Sequence, residues 1–257
     1  MQDLTGKIVW VTGAGTGIGR ATALAFAQAG ARVVLTGRRP AMLAETAALL
    51  EDAGHTSMQL AADVADADDV TRAHAEIVAA LGDVQILVNN AGTNATKRHW
   101  RDLSPADMAR VVDVNLKGPF LCSIAVLPAM RRAGGGTIIH VVSNAAVGIF
   151  AVAGPTYTAS KHGARAMSAT LNAEEGIHGI RSVCINPGEV ETPILDTRPK
   201  PPSAADRALM VQPEDIAASA VFAARLPPRT CMAEMLITPT DNNFYRATAK
   251  ALAELPA

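Results

Sequence analysis

Charge is scarce in this chain. Only 18% of its 257 residues are Asp, Glu, Lys or Arg, where about a quarter is usual for a soluble domain. The formal net charge is -1 and basic residues never cluster beyond a pair such as Arg38-Arg39. A nucleic-acid partner needs a basic face, so that class is set aside. Cysteine is equally sparse. Cys122, Cys184 and Cys231 have no metal-ligand spacing and read as small buried hydrophobes in a reducing compartment, with no metal expected. The first residues hold no basic segment followed by an apolar stretch, and no uninterrupted apolar run reaches about 18 residues. A soluble, cytoplasmic protein with no membrane partner is the expectation. With 49% hydrophobic residues the chain can bury a sizeable core, and its length suits one α/β domain over residues 1–257. A surface this poor in charge also points to burial between subunits, in a homotetramer or homodimer.

Strand-like and helix-like patterns alternate from the start. Strands are expected at 8–11, 32–35, 57–61, 86–88, 137–142, 181–185 and 234–237. Helices are expected at 18–29, 41–53, 66–81, 105–132 with an irregularity at Gly118-Pro119, 157–176 and 213–224. Strands apolar on both faces and joined by helical crossovers mean a parallel sheet covered on both sides. The expected class is therefore α/β: a three-layer, doubly wound Rossmann arrangement with a mostly parallel seven-stranded sheet. The stretch 189–210 breaks the pattern and carries Pro193, Pro199, Pro201 and Pro202. It reads as a substrate lid or as a surface excursion.

Ligands of open α/β sheets bind beyond the carboxyl ends of the strands. Glycine-rich or turn-forming segments stand at several of those ends. After the first strand comes Thr12-Gly13-Ala14-Gly15-Thr16-Gly17-Ile18-Gly19. Gly13, Gly17 and Gly19 let the turn tighten, the backbone approach a pyrophosphate and the helix pack closely, with the helix N-terminus facing the phosphates. Thr16 and Ile18 belong to the same cradle. After the second strand, Arg38 replaces the acid that would hold ribose hydroxyls. It suits a 2′-phosphate, although it could instead stack on adenine or simply be solvated. The cofactor expected is NADP, with NAD the alternative. Asp63, followed by Val64, could accept from an adenine amino group or cap a helix. Asn90, Ala91 and Gly92 end the fourth strand as a loop able to lie against a cofactor.

Tyr157 and Lys161 stand four residues apart, on one face of an expected helix. A phenol with an ordinary pKa of about 10 is a poor base near neutrality, and a neighbouring ammonium would lower that value. The alternative is a surface pair met by chance.

The glycine turn, Asn89-Asn90-Ala91-Gly92, Asn115, Ser143, Tyr157, Lys161 and Pro187-Gly188 together resemble the motifs of the short-chain dehydrogenase/reductase family, in that family's order and across nearly the whole chain. The resemblance implies hydride transfer between a nicotinamide cofactor and a small carbonyl or alcohol. It makes Tyr157 the acid/base, Ser143 the group that polarises the substrate oxygen, and Lys161 the grip on the nicotinamide ribose and the cause of a lowered tyrosine pKa. Asn115 would kink its helix and anchor a water leading to Lys161. Pro187, Gly188, Val190 and Thr192 would contact the carboxamide or pyrophosphate. Counting back from Tyr157 by the family's usual spacing lands on Asn144. Counting forward along the strand lands on Ser143, which is preferred because a strand register resists a one-residue shift. His99-Trp100 could wall a pocket or form a surface turn, and His140 reads as a packed histidine. Arg198, Lys200 and Arg207 leave an acidic substrate open. Two other functions fit the same fold: a catalytically silent cofactor-binding structural or regulatory protein, or an isomerase or dehydratase using a bound cofactor.

Overall fold

Seven short apolar segments pair into one sheet in the computed structural model, which describes residues 1–241. The remainder of the expected domain, 242–257, lies outside the described residues. The strands are β1 (Ile8–Thr12), β2 (Arg32–Gly37), β3 (Ser57–Ala61), β4 (Ile86–Asn89), β5 (Gly136–Val141), β6 (Ile180–Pro187) and β7 (Glu234–Ile237). Their order is β3-β2-β1-β4-β5-β6-β7, and every pairing is parallel rather than most of them. β1 and β6 are buried at every position; β1 reads as an apolar run over 8–11, whereas β6 also buries the polar Arg181, Ser182 and Asn186. Trp10 on β1 is fully buried and donates its Nε1–H to Thr36 Oγ1 on β2 at 2.8 Å, so its one polar atom is satisfied.

The crossovers are α1 (Gly17–Gln28), α2 (Pro40–Asp52), α3 (Ala67–Leu81), α4 (Pro105–Val112), α5 (Gly118–Ala133), α6 (Pro155–Glu175) and α8 (Pro213–Arg225), with a one-turn α7 (Ala204–Ala208) inside the irregular stretch. Side chains of α1, α2 and α8 share one buried cluster with one face of the sheet. Those of α3 and α5 share another with the opposite face. That is the expected three-layer arrangement. The chain leaves β1 for β2 on one side and later returns to place β4 on the other. The loops after β1 and β4 therefore diverge there and open a crevice.

Two local features depart from expectation. The irregularity between α4 and α5 is a single π-helical turn at Asp113–Lys117, upstream of the expected Gly118-Pro119. Pro119 follows that turn inside the continuous helical run from Pro105 to Ala133, and lacking an N–H it cannot donate back into the preceding turn. The stretch 189–210 is not structureless. A 3₁₀ turn at Pro193–Thr197 and α7 lie between ends pinned by the Val190–Val211 bridge. The backbone N–H of Glu191 donates to the Val211 carbonyl at 2.9 Å and that of Val211 to the Glu189 carbonyl at 3.0 Å.

The rod from Pro105 to Ala133 is, among the described residues, the one helix long and apolar enough by composition to cross a bilayer; half of that stretch is buried inside the molecule. Its outer face leaves Met108, Phe120 and Ile124 exposed. Cys122 and Cys184 are buried as expected, whereas Cys231 is exposed.

Candidate active site

Two clefts meet at the carboxyl ends of the strands, and Ile18, Val141, Val142, Tyr157, Thr192 and Ile194 line both of them. The narrower, about 260 Å³, runs over the glycine turn and past Arg38, Asp63, Val64, Asn90, Ala91, Gly92 and Lys161. The wider, about 570 Å³, holds Ser143 and Asn144 together with Pro187, Gly188 and Val190. Every expected site residue lines one of the two except Gly19 and Asn115, which hold the walls in place.

Gly19 has no room for a side chain. A Cβ there would stand 2.2 Å from the Gly13 carbonyl oxygen and 2.4 Å from Asn90 Nδ2. Gly13 has a φ of +65° and lies so close to the fourth-strand loop that its own Cβ would come 2.8 Å from Ala91 Cα. The β1 and β4 loops are thus pressed together. Asn90 Nδ2 donates to the Thr12 and Gly13 carbonyls at 3.0 and 3.2 Å. Thr12 Oγ1 accepts from the N–H groups of Asn90 and Ala91 at 3.0 and 3.1 Å. The structural role of Thr12 was missed in the sequence, where a threonine ending a strand carries no special mark.

The narrow cleft fits an extended dinucleotide. Its glycine turn opens α1 and leaves a cradle that side chains would fill, and Arg38 stands exposed at its outer end. Asp63 Oδ2 lies 3.8 Å from Arg38 Nη1. Asp63 does not cap the following helix: Asp66 does, accepting from the N–H groups of Asp68 and Asp69.

Asn115 occupies the π-helical turn and is fully buried. Its Oδ1 accepts from Thr93 N–H at 2.8 Å, and its Nδ2 donates to the Thr93 carbonyl at 2.9 Å and to Ser160 Oγ at 3.2 Å. It therefore ties the β4 loop to α6, the helix bearing Tyr157 and Lys161. Lys161 is buried and donates to the Val141 carbonyl at 3.2 Å. Its Nζ stands 5.5 Å from the centre of the Tyr157 ring. Burial without an anion pushes the Lys161 pKa down to about 8.

Tyr157 is partly open to the clefts. Burial pushes its pKa up; a hydrogen bond from Ser143 and the charges of Arg98 and Arg198 pull the other way. Two arginines of the wide cleft thus act on the phenol, and the Lys161 ammonium lies over the ring face with its hydrogen bond to the Val141 carbonyl. Ser143, just past β5, lines the wide cleft with Tyr157. Its Oγ accepts from Ala145 N–H at 3.1 Å and donates to Asn144 Oδ1 at 3.2 Å. Asn144 lines the same cleft one residue on.

Arg98 was overlooked in the sequence, since nothing there distinguishes it from Lys97 or Arg101. It is 5% exposed and lines the wide cleft beside Arg198. Lys200 is exposed and lines neither cleft, and Arg207 pairs with Glu191 and Asp196. Trp100 is exposed and lines neither cleft; His99 accepts two backbone hydrogen bonds of a turn through its carbonyl. His140 is buried, with its Nδ1 3.3 Å from Asn89 Nδ2, and burial holds its pKa down to about 3.

The sequence profile of the family described as short chain dehydrogenase matches residues 7–202. The chain is 39% identical to the short-chain reductase protein NovJ of Streptomyces niveus, over 85% of this chain and 87% of that protein. Its fold is similar to that of a metagenomic short-chain oxidoreductase solved in complex with NADP, at a TM-score of 0.81 and 30% identity, covering 94% of this chain and 100% of the other. It is likewise similar to an alcohol dehydrogenase from the archaeon Thermococcus sibiricus complexed with 5-hydroxy-NADP, at a TM-score of 0.82 and 26% identity, covering 92% and 98%.

Proposed function

The chain belongs to the short-chain dehydrogenase family of nicotinamide-dependent oxidoreductases, and on that footing we propose that it moves a hydride between NADP(H) and a small carbonyl or secondary alcohol, with Tyr157 as acid and base. The observation that carries this reading is the place of the Tyr157 phenol, at the junction of the two clefts, with Ser143 on one side and Lys161 on the other. A bound nicotinamide supplies or accepts the hydride. Tyr157 gives its proton to the developing alkoxide during reduction and takes the alcohol proton during oxidation. Ser143 stabilises the same oxygen with a hydrogen bond made where charge develops. Lys161 and Asn115 hold the cofactor side of the junction, Lys161 through the ribose hydroxyls. Gly13, Thr16, Gly17, Ile18 and Gly19 hold the pyrophosphate, with Pro187, Gly188, Val190 and Thr192 against the carboxamide end, while Asp63, Val64, Asn90, Ala91 and Gly92 flank the adenosine half. The stretch 189–210, pinned at its ends and lining both clefts, acts as the substrate lid. The test is stoichiometric oxidation or reduction of NADP(H) by a broad panel of ketones, aldehydes and alcohols. Silence across that panel, with cofactor still bound, overturns the reading.

NADP rather than NAD is the proposed partner because Arg38 is a cation at the open end of the narrow cleft, and the two solved relatives named above hold NADP or a derivative of it. Removing a charge-assisted contact costs roughly 1.5–3 kcal/mol. Arg38→Ala is therefore expected to weaken NADP⁺ by about 10–150-fold in a calorimetric titration and to leave NAD⁺ much less changed. Tighter binding of NAD⁺ than NADP⁺ by the unmodified protein removes the preference.

We also propose a closed homo-oligomer, a tetramer before a dimer. Its support is the low charged fraction and the exposed Phe120 and Ile124 on α5, an apolar face on a soluble-sized fold. A stable interface commonly buries about 1,600 Å² in total. Sedimentation is expected to give a multiple of 26.6 kDa at micromolar concentration; the monomer mass alone rejects the assembly.

A further inference from the structure

Arg98 sits in the connection from β4 to α4 and is almost wholly removed from solvent. Among the described residues only its Nη2 hydrogen-bonds, to the carbonyl and the Oγ1 of Thr197 in the lid. Its Nε is buried with no partner, and no carboxylate pairs with it. Among the described residues lining the cleft the one acid, Glu189, is taken by Arg198 at 2.9 Å. Arg198 lines the same cleft, so two guanidiniums there share a single counter-charge. An isolated buried cation costs several kcal/mol unless an anion or further acceptors complete it, and elsewhere the cleft is walled by apolar groups such as Val147, Val152 and Leu195. Guanidinium is also the group whose geometry suits a carboxylate.

We propose that the wide cleft takes a carbonyl or alcohol substrate that carries a carboxylate, seated on Arg98 with Arg198 beside it and its apolar part against the remaining wall. The inference rests on the oxidoreductase reading above and adds the substrate class. A monoanion is the form that matches, because one of the two guanidiniums is already neutralised by Glu189. Arg98, Arg198, Ser143 and Tyr157 line the same cleft, so the carboxylate and the reacting carbon share it. The Arg98–Thr197 contact would also tie substrate recognition to the lid.

The test compares acetoacetate, levulinate and benzoylformate with their primary amides, which match them in shape but lack the charge. Turnover is followed with NADPH, and binding to the NADP⁺-loaded protein is measured by calorimetry. A completed charged contact is worth about 1.5–3 kcal/mol, so at least one acid is expected to exceed its amide by roughly 10–100-fold in kcat/KM and in affinity. Arg98→Met should shrink that preference to about 3-fold or less, any change at the Tyr157 phenol falling on acids and amides alike, and Arg98→Lys should restore part of it. A loss shared equally by acids and amides in Arg98→Met makes Arg98 a lid anchor only and overturns the proposal. So does a wild-type protein that does not favour any acid, a comparison that needs no variant to fold. Acid-selective binding without turnover would keep this inference and reject the oxidoreductase reading; turnover of neutral carbonyls without acid preference would do the reverse.

Discussion

Tyr157→Phe is expected to lose turnover by about 10²–10⁴-fold, the range of a positioned acid or base, while keeping most of its affinity for cofactor. The substitution removes one hydroxyl and leaves the ring over which Lys161 sits, 5.5 Å from its centre. The packing at the junction therefore survives, and what disappears is the proton. Rate against pH carries the sign of the mechanism. Alcohol oxidation needs the phenolate, so it should quicken as pH rises through the Tyr157 pKa. Carbonyl reduction needs the phenol and should weaken across the same interval. Burial sets that pKa high, while Ser143, Arg98 and Arg198 hold it back. Ser143→Ala should therefore move the oxidation profile to higher pH as well as slow it. These profiles must be read where chemistry limits the rate. Near-normal turnover by Tyr157→Phe, or an oxidation profile that does not move in Ser143→Ala, would remove the respective residue from the proposed chemistry.

The inner strands of the sheet were legible in the sequence because they are largely buried on both faces, so hydrophobicity marked them and the crossovers fell between; the edge strands β3 and β7 are partly exposed and carry a weaker signal. The glycine turn was legible for a different reason: Gly13 and Gly19 stand where backbone meets backbone, and no other residue fits. The preference for Ser143 over Asn144 rests on the strand fixing its own register; Val142 N–H donates to the Ile185 carbonyl at 2.7 Å, and Ser143 and Asn144 follow it into the same cleft. What escaped were features that depend on distant segments. The π-helical turn at Asp113–Lys117 forms where Asn115 bonds across to Thr93 and Ser160, partners that local propensity cannot announce. Arg98 donates to Thr197, almost a hundred residues later in the chain, so its environment is invisible in the residues around it. The exposure of Cys231 is of the same kind, a matter of which segment ends up outside.

Lys161→Met should stabilise the cofactor-free protein even as it impairs function. In the folded chain the Lys161 pKa is pushed down to about 8 from an ordinary 10.5, mainly by burial. Between those values the unfolded chain binds a proton at this position that the folded chain has released. Stability contributed by this site therefore rises with pH from about 8 to 10.5, and below about 8 the full penalty of an unneutralised buried ammonium is present. The gap corresponds to on the order of 3 kcal/mol. Methionine fills similar space without charge and gives up the bond to the Val141 carbonyl, worth about 1 kcal/mol, and the charge over the Tyr157 ring. A net gain of roughly 2 kcal/mol at pH 7 would raise Tm by about 4–8 °C for a domain of this size. The difference between the two proteins should shrink as pH approaches 10.5, because folded Lys161 is neutral above about 8 and the unfolded chain gives up its proton around 10.5. Cofactor affinity should fall by about 10–150-fold, the scale of a lost charged hydrogen bond, so the stabilised variant would be the poorer enzyme. That opposition is what a charge kept in place for a ligand predicts. Denaturant unfolding of both apo-proteins at pH 7 and near pH 10 decides it: a Lys161→Met protein less stable than wild type at pH 7, or a difference indifferent to pH, would mean that the ammonium is well satisfied in the free protein and is not held in reserve for the cofactor.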